Sequence, residues 1–243
     1  MLLVLNGTNS TLGSSMASKN IIEILKEKLI LLDNFLNIPP KRCWLDISTL
    51  DYVNKFEGKK VLNLGAGAGI YDNFIKVKTL NLDIISNERI HVVADAHSLP
   101  FKEGAFDCIF SNAVLEHVQY PWIVADECRR ALKDGGIVCV NVPFLFIIHD
   151  KHDYFRFTQD GLRACFKDFE EIQSGVCIGP MSFLVVYLGE MFSTLIKIKI
   201  IGFIARLVFK LFLYPLFYID RFTKGKKKWD KFATLFYFIG RKG

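Results

Sequence analysis

The stretch V-L-N-L-G-A-G-A-G, residues 61–69, decides the fold of this chain. Its first four residues are mostly apolar and predict a short buried strand, and glycines follow at positions 65, 67 and 69. Because glycine has no Cβ, a ligand can lie against this backbone, and a following helix can offer its N-terminal N–H groups to it. The third glycine stands one residue earlier than in the pattern G-x-G-x-x-G. On its own, the stretch fits a glycine turn of any α/β domain equally well.

Six further segments predict strands. The segment T-L-N-L-D ends in Asp83, and an acid at the tip of the second strand is placed to accept hydrogen bonds from ribose hydroxyls. Only a few residues separate this strand from the next, fewer than the ten or so that a full crossover helix needs, so we expect a turn there. The predicted strands after the first are 79–83, 91–94, 106–110, 137–142, 166–177 and 233–240.

Three segments have the spacing of helices. Apolar residues recur at three- and four-residue steps over residues 18–36, and residues 44–56 predict a second, shorter helix. A third is predicted over residues 122–132. On that helix we expect an apolar inner side formed by Ile123, Ala131 and Leu132. The basic outer side would consist of Arg129, Arg130 and the following Lys133.

Two longer motifs follow the glycines in order. They are D-A-H-S-L-P-F at residues 95–101 and F-D-C-I-F-S-N-A-V-L-E-H at residues 106–117. Together with the glycines and Asp83, they resemble the class I S-adenosylmethionine-dependent methyltransferases, most closely the type 11-like methyltransferase domain family. The resemblance covers about residues 58–162 and the closing strand. It implies an α/β, Rossmann-like sheet of seven mostly parallel strands with an antiparallel edge hairpin.

The resemblance also implies that the cofactor is S-adenosylmethionine. Asp83 would bind the ribose hydroxyls, Asp95 would accept from the adenine amino group, and Asn112 would face the methionine end. Asn63 stands where the family often has an acid, which would weaken a contact behind the site. The implied cofactor-binding residues are Gly65, Ala66, Gly67, Gly69, Asp83, Ile84, Asp95, Ala96 and Asn112.

The loop after the fifth predicted strand, residues 143–158, is the best candidate for the acceptor pocket. It is rich in His, Asp, Arg and aromatic residues, and ligands of open α/β sheets bind outside the carboxyl ends of the strands. Its part H-x-x-x-D-Y-F-R-F-T resembles a sugar- or lipid-pathway subgroup of methyltransferases. The subgroup often has Pro or Tyr shortly before the Asp, where this chain has Lys151 and His152, so the substrate stays open.

Transfer of a methyl group to oxygen or nitrogen benefits from a general base. We expect His149 to be the first candidate, because it leaves the end of the fifth strand, and Asp153 to be the second catalytic candidate. His117 and His152 are further candidates. An ion pair between Asp153 and Arg156 that merely holds the loop is an equally open alternative.

The charge and the apolar residues are unevenly distributed. Apolar residues make up 51% of the 243 residues, and 22 of them are Phe. Residues 184–243 hold 12 basic and 3 acidic residues, whereas residues 1–183 hold 19 and 22. The basic excess therefore belongs to the C-terminal quarter, which argues against a nucleic-acid-binding core and for an anionic partner of that quarter.

Residues 183–219 hold most of the apolar excess and predict a hydrophobic helical insertion. On one helix, Lys199, Arg206 and Lys210 fall within about 40° of one another, a narrow basic stripe on an apolar surface. The lysine-rich residues 224–229 follow. This pattern predicts a helix that lies on an anionic membrane surface, with lysines reaching the headgroups. The alternative is packing on the chain's own domain or on a second subunit.

These observations divide the chain into four parts: N-terminal helices (1–57), a methyltransferase core (58–182), the basic, hydrophobic insertion (183–231) and the closing strand (232–243). The apolar start is too short for a signal sequence, and six scattered cysteines without a C-x-x-C pair favour free thiols in a reducing compartment. We therefore expect a cytoplasmic protein on the inner face of a membrane. No metal site and no nucleic-acid partner are predicted.

The sequence thus predicts a methyltransferase that acts on a membrane-associated acceptor, a lipid-linked or glycan-pathway intermediate. A quinone or small lipid is the alternative acceptor. A nicotinamide oxidoreductase disagrees with the glycine spacing, and a non-catalytic scaffold with this fold stays open because the candidate bases are few.

Overall fold

The computed structural model describes residues 48–67, 69, 74–223 and 226–243, together with Lys28, Leu29 and Leu32. The chain divides into two units, Met1–Ile38 and Pro39–Gly243. In the first unit the three described residues are helical; the rest of the helix predicted over 18–36 lies outside the described residues. The second unit contains the sheet.

One sheet of seven strands runs in the order β3-β2-β1-β4-β5-β7-β6, which confirms the predicted fold class. The first two strands have the predicted bounds, and the others differ by a few residues at their ends. The strands are β1 (Val61–Leu64), β2 (Thr79–Asp83), β3 (Val92–Val93), β4 (Phe106–Asn112), β5 (Leu132–Pro143), β6 (Phe169–Ile178) and β7 (Leu235–Lys242).

Strands β1 to β5 are parallel to their neighbours, so their carboxyl ends meet at one edge of the sheet, here called the carboxyl edge. β7 is antiparallel to both β5 and β6 and forms the predicted edge hairpin with β6. Leu235 pairs with both Pro143 and Ile178. The segment between β6 and β7 therefore leaves and returns at the carboxyl edge.

Five helices accompany the sheet within the described residues. No helix lies between β2 and β3 in the described residues 84–91, as the short spacing predicted. The helices are α1 (Ser48–Val53), α2 (Pro121–Ala131), α3 (Gln159–Cys165), α4 (Pro180–Leu195) and α5 (Lys199–Leu213), with 3₁₀ segments at Leu115–His117, Tyr214–Phe222 and Lys227–Phe232.

The inner face of helix α2 agrees with the prediction at Ala131 and the following Leu132, which are fully buried, but not at Ile123. Val124, Ala125 and Cys128 are buried against the core, whereas Ile123 is exposed. The expectation that Ile123 faces inward is wrong because Pro121 starts the helix and its buried row follows at three- and four-residue steps.

The insertion folds as a hairpin of α4 and α5. Both carboxylate oxygens of Glu190 on α4 lie 3.0–3.1 Å from a guanidinium nitrogen of Arg206, and one lies 3.2 Å from the ammonium of Lys210. The side chain of Lys210 is fully buried. The predicted outward basic stripe is therefore wrong for Arg206 and Lys210, because their face of α5 meets an acidic partner on α4. The side chain of Lys199 lies outside the described part of the structure.

The opposite face of α5 is apolar and exposed. Among the described helices, the stretch Ile200–Phe222 is long and apolar enough to cross a membrane by length and composition, and 22% of its apolar window is buried. At 100° per residue the exposed side chains of α5 fall within about 120° of one another. This outer face consists of Ile200, Ile201, Ile204, Val208, Leu211 and Phe212.

A buried carboxylate fixes the start of this insertion. Asp220 accepts hydrogen bonds from the backbone N–H groups of Met181 and Ser182, at 2.9 and 3.1 Å, and from the Ser182 hydroxyl. It thereby caps the N-terminus of α4, where Gly179 itself offers no side chain. A Cβ at Gly179 would lie 2.6 Å from the Asp220 carboxyl carbon, so the cap requires glycine there.

We predict that Asp220→Ala destabilises the protein by about 1–3 kcal/mol, because three donors at the end of α4 lose their acceptor. The measurement is urea unfolding followed by circular dichroism. The matched control is Arg221→Ala, at the neighbouring exposed position, which should change the free energy of unfolding by less than about 0.5 kcal/mol. Equal effects of the two variants would contradict the capping role.

Candidate active site

The glycine-rich loop after β1 is fastened to the end of β2. The N–H groups of Gly65 and Ala66 both donate to the carbonyl oxygen of Leu82, at 2.8 and 3.0 Å. Gly65, Gly67 and Gly69 all have positive φ, between 50° and 73°, which only glycine adopts readily. The loop thus needs these glycines for its own conformation as well as for a ligand.

Two glycines differ in what lies beside them. A Cβ at Gly65 would come within 2.2 Å of a Val114 methyl carbon, so this position is closed by the segment after β4. A Cβ at Gly67 would meet only the Asp83 carboxylate, at 4.0 Å. Gly67 therefore leaves an open backbone surface next to a carboxylate.

The predicted ribose acceptor, Asp83, sits at the end of β2 and organises the loops on both sides. Its Oδ2 accepts from the N–H of Gly67 at 2.8 Å, and its Oδ1 accepts from the N–H of Ile85 at 3.0 Å. Each carboxylate oxygen can accept a second hydrogen bond. The side chain of Ile84, also predicted at the cofactor, is 67% exposed beside it and provides an apolar surface.

The predicted adenine acceptor, Asp95, lies in a turn after β3. Its Oδ1 accepts from the backbone N–H of His97 and lies 2.7 Å from His97 Nδ1. The backbone N–H of His97 lowers the pKa of Asp95 most, so the group stays ionised. The other His97 nitrogen accepts from the N–H of Tyr120 at 3.2 Å. Ala96 follows Asp95 directly and is partly buried in the same turn.

An ion pair that the sequence analysis missed clamps the same turn. Arg130 pairs with Glu127 on α2 and donates to the carbonyl oxygens of Leu99 and Phe101, while Glu127 accepts from the N–H of Leu99. The Arg130 hydrogen bond is the main cause of the lowered pKa of Glu127. Arg130 is half-exposed on the outer side of α2, as expected, but its guanidinium is held by this turn. The i,i+3 spacing with Glu127 was the available signal.

At the end of β4 the chain turns sharply toward the glycine loop. Ala113 has a φ of 54°, rare for a residue with a side chain, and its N–H donates to the Asn141 carbonyl oxygen. The side-chain oxygen of the predicted Asn112 accepts from the Asn141 side chain at 2.8 Å. Among the described residues, the buried Ser111 hydroxyl and the Asn141 side-chain oxygen have no hydrogen-bond partner.

Asn63, which stands in place of the family's acid, is buried in β1. Its side chain donates to the side-chain oxygen of Asn81 at 3.3 Å, and that oxygen also accepts from the Thr79 hydroxyl. Asn81 in turn donates to the carbonyl oxygen of Arg89. The amide therefore supports the loops behind the glycines through neutral hydrogen bonds.

These groups fit S-adenosylmethionine. The cofactor carries ribose hydroxyls, an adenine amino group and a methionine part with a cationic sulfur, and the carboxyl edge presents acceptor carboxylates at Asp83 and Asp95 with an open glycine backbone at Gly67. The apolar side chain of Ile84 lies next to Asp83, and unpaired polar atoms lie near Asn112. The structure thus brings the predicted cofactor-binding residues to one edge of the sheet.

The acceptor loop after β5 is held by one ion pair. Arg156 and Asp153 form two hydrogen bonds, one of them with Nη2 at 2.8 Å, and Arg156 also donates to the carbonyl oxygens of Phe146 and Ile147. The Arg156 hydrogen bonds lower the pKa of Asp153 to about 2. Asp153 also accepts from the N–H of His149 and lies 3.3 Å from its Nδ1.

The first catalytic candidate, His149, meets a residue of the 3₁₀ turn after β4. His117 Nε2 lies 3.1 Å from His149 Nε2, and 3.8 Å from a carboxylate oxygen of Glu116. The Glu116 carboxyl is fully buried and has no hydrogen-bond partner among the described residues. Burial raises its pKa to about 7. His117 was only a further candidate from the sequence, and Glu116, which lies within the resembled motif, was not predicted.

Comparisons with known proteins agree with this site. Residues 62–140, about a third of the chain, match the model of the methyltransferase domain family. An uncharacterised protein of Methanocaldococcus jannaschii is 34% identical over 149 residues, which cover 56% of this chain and 64% of that protein. The ubiquinone biosynthesis O-methyltransferase of Nitrosococcus oceani is 27% identical over 146 residues, with coverage of 44% and 62%. The chain thus spans slightly less than two thirds of these relatives.

Solved structures of methyltransferases have a similar fold. A crystal structure of an S-adenosylmethionine-dependent methyltransferase from Thermotoga maritima superposes with a TM-score of 0.52 at 16% identity, over 91% of this chain and 97% of that one. Residues 62–140 thus resemble the methyltransferase domain family, and the chain has the fold of class I S-adenosylmethionine-dependent methyltransferases, as its motifs predicted. The similarity to this family supports S-adenosylmethionine as the cofactor.

We predict that the protein binds S-adenosylmethionine in calorimetric titration and that Asp83→Ala weakens binding at least tenfold. The variant removes the ribose acceptor and the partner of the Gly67 N–H, and one lost charged hydrogen bond costs about 1.5–3 kcal/mol. Asp126→Ala, on the exposed side of α2, is the control and should bind as the wild type does. Binding of NADH instead, or unchanged affinity in Asp83→Ala, would contradict the assignment.

Proposed function

We propose that this protein transfers a methyl group from S-adenosylmethionine to a hydrophobic acceptor held at the cytoplasmic face of a membrane. The observation that carries the proposal is the position of the insertion. It joins the sheet at Ile178 and Leu235, whose pairing partner Pro143 begins the acceptor loop. Hydrogen bonds from the N–H groups of Phe144 and Leu145 to the carbonyl oxygens of Thr234 and Ala233 tie the loop to the residues that follow the insertion.

The hairpin of α4 and α5 supports contact with lipid because its charged groups lie inside and its apolar side chains outside, the reverse of a water-exposed helix pair. The charged groups of Glu190, Arg206 and Lys210 lie between the helices, and the outer face of α5 is apolar and exposed. Intramembrane charges favour the same arrangement, since they pair inside a bundle and leave apolar side chains to the lipid. An apolar patch of this kind marks an interaction surface.

Basic side chains next to this face supply a second attraction. Arg221, Lys226, Lys227, Lys228 and Lys231 are exposed after the apolar stretch. Each Lys or Arg near an anionic membrane surface contributes about 1 kcal/mol. We propose an anionic lipid surface as the partner of this segment. The described cysteines, all free thiols, support a location in a reducing compartment.

We predict that the wild type floats with anionic liposomes and that Phe212→Glu lowers the bound fraction at least threefold. Phe212 is 78% exposed on the outer face of α5, and a carboxylate there would have to enter the apolar part of the interface. Ile123→Glu makes the same change at an exposed apolar position on α2 and is the matched control. If both variants bind as well as the wild type, lipid contact through α5 is refuted.

The acceptor itself has two candidate chemistries. The loop motif resembles that of a sugar- or lipid-pathway subgroup, which favours a lipid-linked or glycan intermediate. The relative from Nitrosococcus oceani is named for ubiquinone biosynthesis, which favours a quinone. Either molecule would be held in the membrane, and a glycan hydroxyl or the hydroxyl of a reduced quinone (a quinol) would have to lose its proton on methyl transfer.

We propose that residues of the acceptor loop act on that oxygen, with the donor and acceptor positioned in line for displacement at the methyl carbon. His149 stands at the carboxyl edge with its Nδ1 directed at Asp153. A general base of this kind contributes about 10²–10⁴-fold to the rate. The ion pair of Asp153 with Arg156 would keep the loop in place during turnover.

The decisive assay supplies methyl-labelled S-adenosylmethionine and membranes from the source organism. We expect label in the organic extract, at least a hundredfold less with His149→Ala, and wild-type turnover with the exposed neighbour variant Lys151→Ala. Retention on an anion exchanger would separate a phosphate-linked glycan lipid from a neutral quinone. Label confined to the aqueous or protein fraction would refute a membrane-held acceptor. If the protein binds the cofactor but forms no labelled product, the scaffold alternative is favoured.

A further inference from the structure

Glu116, His117 and His149 form a cluster at the carboxyl edge and are not among the predicted cofactor-binding residues. They come from the 3₁₀ turn after β4 and the loop after β5, and one ligand atom of each lies within 4.8 Å of the others. Glu116 is buried, His117 half-buried and His149 exposed, so the cluster opens on one side only.

Hydrogen bonding fixes the proton on His117. Its Nδ1 lies 2.6 Å from the backbone carbonyl oxygen of His152, which can only accept. Nδ1 must therefore carry a proton. In the neutral ring the other nitrogen, Nε2, then presents a lone pair.

His149 carries its proton on Nδ1 for the same reason. Its Nδ1 lies 3.3 Å from the carboxylate of Asp153 and 3.3 Å from the carbonyl oxygen of Ile147, and both groups are acceptors. Its Nε2 therefore also presents a lone pair, at 3.1 Å from that of His117. Two lone pairs this close repel each other, so a cation has to lie between them, either a proton or a metal ion.

Glu116 distinguishes between these two cations. A proton shared by the two imidazoles would satisfy both rings, but it would leave the buried Glu116 carboxyl without a partner. A metal ion can accept all three groups as ligands. Two ligands of a tetrahedral zinc ion, with bonds of 2.0–2.1 Å, lie about 3.3 Å apart. Two pairs here are 3.1 and 3.8 Å apart and all three ligand atoms lie within 4.8 Å, so a small movement of the side chains would close the site around an ion.

We propose that Glu116, His117 and His149 bind a divalent transition-metal ion of the zinc class. Two imidazoles and one carboxylate are a known ligand set for such ions when a further position is open to water or substrate. The groups behind the ligands fit as well, since metal-bound histidines donate their other N–H to a carboxylate or a backbone carbonyl. Here Asp153, held by Arg156, serves His149, and the carbonyl oxygen of His152 serves His117.

The role of the metal rests on the proposed function. An acceptor hydroxyl in the open position would be acidified by the ion and would lose its proton to solvent; with the metal bound, His149 would act as a ligand in place of its role as general base. Metal binding itself does not depend on that function and is tested without turnover.

The test is a titration of chelator-treated, full-length protein with Co²⁺, followed by visible absorption. We expect one equivalent of Co²⁺ to bind with the intense bands of low-coordinate cobalt, and His117→Ala and His149→Ala to weaken binding at least tenfold. His152→Ala is the matched control from the same loop. It removes an exposed imidazole but keeps the carbonyl oxygen that orients His117, so it should bind as the wild type does.

A second variant covers the buried ligand. Glu116→Gln keeps the shape of the side chain, and Zn²⁺ should raise the melting temperature of the wild type but not of this variant. Absence of cobalt bands in the wild type, or unchanged affinity in both histidine variants, would overturn the proposal in favour of a shared proton. Calorimetry with S-adenosylmethionine on the same samples separates the outcomes: if it binds while cobalt does not, only the metal inference fails.

Discussion

The placement of β7 between β5 and β6 is the constraint on which the rest of this structure depends. Because β7 is antiparallel to both neighbours, β6 runs parallel to β5, and everything between β6 and β7 has to leave and return at the carboxyl edge. The glycine loop and the acceptor loop end at that edge for an independent reason, since they follow parallel strands. One hairpin pairing therefore puts the apolar insertion on the side of the sheet where ligands bind.

The interior of the insertion holds paired charges, whereas the core around the sheet is apolar. Taking charges such as those of Glu190 and Lys210 out of water costs several kcal/mol, and pairing offsets that cost only when the geometry is good. In water, the opposite orientation of α5 would hydrate the charges and bury the apolar face. At a lipid surface that orientation would expose Arg206 and Lys210 to hydrocarbon, so the observed one has the lower free energy there.

The sequence predicted the features that depend on local pattern. β1 and β2 were predicted with their observed bounds because each is a short run that ends at a glycine or an acid. Arg206 and Lys210 were correctly placed on one face of a helix, but periodicity does not say which face meets a neighbour. The partners of Arg130 could not be predicted for the same reason: they are 29–31 residues away, and only tertiary packing brings them near.

The pairing of His117 with His149 shows how the open alternatives for the acceptor loop are related. The sequence left Asp153 either as a structural partner of Arg156 or as a catalytic group, and in the structure the same carboxylate pairs with Arg156 and faces His149 Nδ1. Both alternatives thus require an ionised Asp153. What distinguishes a structural role from a catalytic one is the surroundings of the Nε2 atoms of His117 and His149. A structural histidine at a half-exposed position would turn that nitrogen to a donor or to solvent, whereas each of these two directs it at another acceptor, an arrangement stable only with a cation between them.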